Sequence, residues 1–132
     1  MRRPFAAAAA ALAVLIAVAG KPAQASQHLK AASITQDQAI DMVVKLPEVK
    51  AWSARLSRVT HGKVRATFMV EPDEPEPIEG RRYWAVGCFE NQPDHFVRWE
   101  TFLVRLDGKV ILVEDTDGEP ISLKRWRKDR VH

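Results

Sequence analysis

RYWAVGCFENQPDHFVRWETFLVRLDGKVILVED, residues 82–115, decides the fold. Aromatic and β-branched residues crowd this run, and such residues fit a pleated, half-buried surface. It divides into three strands, 82–90, 96–106 and 109–114. The cluster NQPDH at 91–95 separates the first two. Asp107-Gly108, between alternating apolar runs, is a hairpin signal between the second and third. Strict alternation along 96–106 places Phe102, Val104 and Leu106 on one face and Val97, Trp99 and Leu103 on the other. Arg98 and Glu100 then join the face of Phe102. Large apolar groups on both faces call for helices over one and a loop or partner over part of the other.

Working towards the N-terminus, EPDEPEPIEG at 71–80 holds three prolines and five acids in ten residues, which predicts an exposed loop. Its charge also fits a docking site for a basic partner. Val64, Ala66, Phe68 and Val70 alternate in a strand over 63–70, after a turn at His61-Gly62. Further back, Thr35-Gln36-Asp37-Gln38 reads as a capping box opening a helix over 36–46, with Ala39, Ile40, Val43, Val44 and Leu46 as its apolar stripe. Pro47 ends it and suits the first turn of a second helix over 48–57, where Val49, Trp52 and Leu56 face the core. Working towards the C-terminus, Asp117-Gly118 turns the chain and Ser122 caps a short helix carrying Leu123 and Trp126. Helices grouped ahead of hairpin-linked strands predict an α+β domain, with the N-terminal helices packed on one face of a four-stranded antiparallel meander sheet.

Residues 1–25 read as a cleaved signal peptide. Arg2 and Arg3 precede an apolar run from Phe5 to Gly20, and Ala23-Gln24-Ala25 offers a small-x-small cleavage site that makes Ser26 the first mature residue. The run is shorter than the ~20 residues that span a bilayer. Residues 26–34 form a flexible leader and 35–132 a single domain. The chain carries 20 Lys+Arg and 17 Asp+Glu; Arg2, Arg3 and Lys21 leave with the signal, so the mature chain has 17 of each. That balance removes the net-charge argument for nucleic acid. Export points to the periplasm, with the extracellular space as the alternative. Cys88 is the one cysteine, which excludes an intramolecular disulfide and fits a small buried side chain, with pairing between chains as the alternative.

Chemistry-bearing constellations are sparse. Setting Gly118 at position six of a calcium loop puts Val113 and Lys124 at positions one and twelve, where oxygen ligands belong, so that reading fails. The four histidines lie far apart and predict no metal site. Cys88 with His95 is the one nucleophile–base pair to weigh, and nothing cationic is set beside the thiol. Among Glu90, Asp94 and Glu100 no apolar pocket marks a raised carboxyl. The expectation is no catalytic residue, no metal and no cofactor. Two binding features remain. One is the strand face of Arg98, Glu100 and Phe102. The other is the tail of Lys124, Arg125, Trp126, Arg127 and Lys128, which suits an anionic envelope surface, an acidic partner or the chain's own acidic loop.

The helix opening ITQDQAIDMVVKLPEVKAW (34–52), the strand YWAV (83–86) and the strand-turn-strand FLVRLDGKVILV (102–113) resemble the PepSY-like small exported bacterial domains. The likeness covers about two-thirds of the mature chain; the acidic proline loop and the KRWRK tail depart from the pattern. It implies a helix with an antiparallel sheet, no catalytic motif, and roles in protease inhibition or regulation of envelope proteins. The resulting expectation is an exported, non-enzymatic binding or inhibitory domain acting through protein–protein contact. The alternative is a domain that binds a small ligand or an anionic envelope surface.

Overall fold

The computed structural model describes residues 33–130. The expected signal peptide, its Ala25–Ser26 cleavage site and most of the leader lie outside them. The fold is α+β: among the described residues there are three helices and an antiparallel sheet. The elements run α1 (Gln36–Val44), α2 (Pro47–Val59), β1 (Arg65–Val70), β2 (Glu76–Ile78), β3 (Arg81–Asn91), β4 (Phe96–Arg105), β5 (Ile111–Glu114), β6 (Pro120–Ser122) and α3 (Leu123–Asp129). No helix among the described residues is long and apolar enough to cross a membrane.

The caps form as the sequence predicts. At the start of α1 the Gln38 N–H donates to Thr35 Oγ1 at 3.2 Å, and the Thr35 N–H donates to Gln38 Oε1 at 2.9 Å. Pro47 opens α2, and Ser122 Oγ caps α3 by accepting from the Arg125 N–H at 3.0 Å. The leader ends sooner than expected. Ile34 is fastened to the sheet: its N–H donates to the Leu106 carbonyl at 2.8 Å, and its own carbonyl accepts from the Trp84 indole at 3.0 Å.

The sheet has six strands, not four. Their order is β1-β3-β4-β5-β6, with β2 pairing β3 beyond β1. One added strand lies inside the segment predicted to be a plain loop. Ile78 pairs Arg81 across Glu79-Gly80, both at positive φ (48° and 78°), which makes a two-residue type I′ hairpin. Pro77 is tolerated because β2 lies at the sheet edge. Between β1 and β2 the acidic loop is tied down at two carbonyls: Gln36 Nε2 donates to Asp73 O and Arg82 Nη2 to Pro75 O, each at 3.0 Å. The other added strand is β6, formed where the Asp117-Gly118 turn brings Pro120–Ser122 back along β5. The short helix expected after Ser122 forms as α3 and closes the described chain, so the helices are not all N-terminal.

The main core lies between the sheet and all three helices. Ala39, Val43, Val49 and Trp52 come from α1 and α2, and Trp126 from α3. They meet Val86, Cys88, Phe102, Val104 and Val113 of the sheet. Tyr83, Ala85 and Leu103 form a smaller buried cluster on the opposite face.

Candidate functional site

A bulge in β4 builds the site. Cys88 of β3 pairs with Glu100 and the next residue, Phe89, pairs with Arg98, so Trp99 is the extra residue. Simple alternation therefore fails here, and the expected sharing of one face by Arg98, Glu100 and Phe102 is corrected. Trp99 turns to the helix side and stacks flat on Trp52, with ring centroids 4.5 Å apart and planes 6° from parallel. Glu100 and Phe102 are also on that side. Arg98 turns to the other side, where its guanidinium sits 4.5 Å over the Phe89 ring and donates to Thr101 Oγ1 at 2.6 Å.

Trp126 of α3 completes the group. Its ring meets Phe102 edge-on at 5.3 Å and Trp99 at 6.3 Å, and its indole N–H donates to Glu100 Oε1 at 3.2 Å. Arg130 lays its guanidinium over the same indoles, 4.5 Å from Trp126 and 5.5 Å from Trp99. Burial raises the Glu100 carboxyl above its ordinary value, partly offset by the Trp126 hydrogen bond. No Lys or Arg among the described residues comes within ion-pair distance of it.

A cleft of about 350 Å³ opens beside these groups, between β4 and the β5–β6 turn. Trp99, Glu100, Trp126, Glu114 and Asp115 are among its walls. The turn is self-supporting: the Gly118 N–H donates to Asp115 O, and the Thr116 and Glu119 N–H groups donate to the Asp115 and Asp117 carboxylates. β5 pairs with β4 only over Phe102–Val104. The stretch Phe96–Thr101 thus has no neighbouring strand on its β5 side among the described residues. Two of the three exposed large apolar side chains among the described residues, Phe96 and Val97, lie at the start of that stretch.

The remaining expected residues fall elsewhere. Arg127 pairs with Glu48 of α2, its Nε donating at 2.9 Å and its Nη2 at 3.2 Å. Arg125 faces Asp129 at 3.8 Å. Lys124 and Lys128 are exposed. The basic tail is thus a docked helix, and its ionic partner is α2 rather than the acidic loop. Burial raises the Glu48 carboxyl, but hydrogen bonding and charge from Arg127 outweigh it and leave the group below its ordinary value. Cys88 is fully buried, and burial followed by the Glu100 charge pushes its thiol up to about 12. His95 lies apart from it in the exposed β3–β4 turn, its Nδ1 2.6 Å from Asp94. Among the described residues no group of three or more His, Cys, Asp or Glu could hold a metal ion. Sequence reasoning missed Trp99, Glu114, Asp115 and Arg130 as site residues, because the bulge and the docking of α3 bring them together.

The chain matches no family model, and searches among curated proteins and solved structures found no match.

Proposed function

We propose that this protein is an exported, non-enzymatic binding or inhibitory domain that acts through protein–protein contact in the cell envelope, the periplasm before the extracellular space. The observation that carries the reading is the open edge of β4 at Phe96–Thr101. Unpaired strand edges in stable proteins are normally short, charged or covered, because bare backbone donors and acceptors recruit another strand. This one begins with exposed Phe96 and Val97. It lies within the sheet's own span, beside a cleft, which suits an added strand from a partner. The PepSY-like grouping belongs to the same proposal, supported by the capped helix and antiparallel sheet and implying the same class of role.

The test is a pull-down from envelope extract with the wild-type protein and with the double variant Phe96→Lys/Val97→Lys, followed by mass spectrometry. Both positions are partly exposed, so the fold should survive, which circular dichroism checks. The expected result is one stoichiometric protein held by the wild type and lost by the variant. Empty pull-downs across several growth conditions, or a partner held equally by both, would overturn the reading.

A further inference from the structure

We infer that the open half of β4 takes an extended partner segment carrying a lysine or arginine, whose cation enters the cleft between Trp99, Trp126 and Glu100. The inference rests on the protein–protein reading above and names the chemistry of the partner.

Three observations converge. The first is the backbone. β5 leaves β4 after Val113 pairs with Phe102, and Asp115 turns back to bond with Glu119 at 2.8 Å. No backbone hydrogen bond among the described residues covers the vacated side of Phe96–Thr101. A segment laid there meets main-chain groups already held extended by β3.

The second is charge. Glu100, Glu114 and Asp115 line the cleft against one basic wall residue, Arg98. Arg98 is occupied on the other face by Thr101 and Phe89, and by Glu71 at 3.7 Å. Glu100 accepts one hydrogen bond, from Trp126; the Arg130 charge acts on its half-buried carboxylate, but no Lys or Arg among the described residues comes within ion-pair distance of it. A cation brought to it gains a charge-assisted hydrogen bond to a half-buried carboxylate.

The third is the aromatic wall. Arg130 lays a guanidinium over the indoles of Trp126 and Trp99, so this wall suits a cation, and the segment's own cation reaches Glu100 beside it. An acidic segment meets the opposite: three carboxylates, with Arg98 the one basic side chain among the cleft's described walls.

The experiment titrates the purified protein and follows tryptophan fluorescence. The probes are three: a ten-residue peptide of alternating Thr and Val with one central Arg, the same peptide with Glu, and N-acetyl-arginine methylamide. Saturable binding of the Arg peptide is expected, with the Glu peptide and the single amino acid each weaker by about tenfold or more, the worth of a charge-assisted hydrogen bond. Glu100→Gln keeps an acceptor for the Trp126 indole and so keeps the fold, and it should lose about tenfold in affinity for the Arg peptide alone. Equal binding of the Arg and Glu peptides, or an unchanged affinity in Glu100→Gln, overturns the assignment of a basic segment. Equal binding of the single amino acid overturns the role of the strand edge. No binding of any probe, beside a pull-down partner that the Phe96/Val97 variant loses, refutes the basic segment and leaves the wider reading standing; with the pull-down empty as well, both fall.

Discussion

The two halves of β4 differ in both burial and pairing. Phe102, Leu103 and Val104 are 0, 2 and 0% exposed, lie between β3 and β5, and carry the core of both sheet faces. Phe96 and Val97 are 51 and 38% exposed and have a strand on one side only. Composition does not separate them, since each half carries large apolar side chains. Pairing does. A residue held by two strands and covered by a helix is there for stability. A residue of the same type with one side open does less stabilising work: Phe96 meets the Phe89 ring edge-on at 6.1 Å and is otherwise half in water. The bulge at Trp99 is the boundary between the two regimes, and the cleft lies on that boundary.

The largest expected effect comes from cutting into the paired half. Phe102→Ala removes a fully buried ring that meets Trp99 and Trp126, and should cost about 3–5 kcal/mol in urea unfolding. Phe96→Ala in the open half should cost less than about 1 kcal/mol, because half of the ring is already in water. Comparable losses at the two positions would erase the distinction, and would mean that something in the protein alone covers the open half.

The boundary itself is the next place to press. Gly87 of β3 pairs with Thr101, just before the bulge. A Cβ there would meet the Phe89 ring at 2.5 and 2.8 Å and Arg98 Nη1 at 3.0 Å. Phe89 and Arg98 hold each other in place, so neither yields freely. Gly87→Ala should therefore cost about 1–3 kcal/mol through overpacking. It should also disturb the Arg98–Thr101 contact, visible as shifted Thr101 resonances by NMR. A neutral substitution would show that the outer side of the bulge is loosely packed.

How much of this could be read beforehand follows the range of the interactions. The capping box at Thr35–Gln38 and the hairpin at Asp107-Gly108 depend on residues three or four apart, and both were legible. So were the strands around Trp84 and Phe102, whose alternation is strong. The strand β2 was hidden, because prolines and acids argue against pairing and only the Glu79-Gly80 turn and a free length of β3 make it possible. The bulge was hidden for a different reason. A single strand carries no mark of a register shift, which is settled by the packing of the opposite strand at Gly87–Phe89. With the bulge went the correct face for Arg98 and Trp99, and with those the cleft. The docking of α3 joins Arg127 to Glu48 across 79 positions, a separation at which sequence pattern says nothing.

The smallest expected effect concerns the closed end of β4, where Asp107 fastens the turn into β5. Its carboxylate accepts from Arg105 Nε at 3.0 Å and from the Lys109 N–H at 2.9 Å. The hydrogen bond from Arg105, then that from Lys109, lowers its pKa to about 2. An unfolded aspartate titrates near ~3.9. Because the folded value is the lower one, the stabilisation is complete above the unfolded value and is lost as pH falls from ~4 through about 2. Asp107→Asn should flatten that limb of the stability–pH curve and leave the curve near neutrality only slightly lowered, since the ion pair is partly exposed and screening weakens it. Among the described residues the open half of β4 has no such ionic clamp at its Phe96 end, where the Asp94 and His95 side chains pair with each other in an exposed turn. An acid limb unchanged by Asp107→Asn would mean that the ionic turn does not hold the closed end. The contrast along β4 would then rest on apolar packing alone.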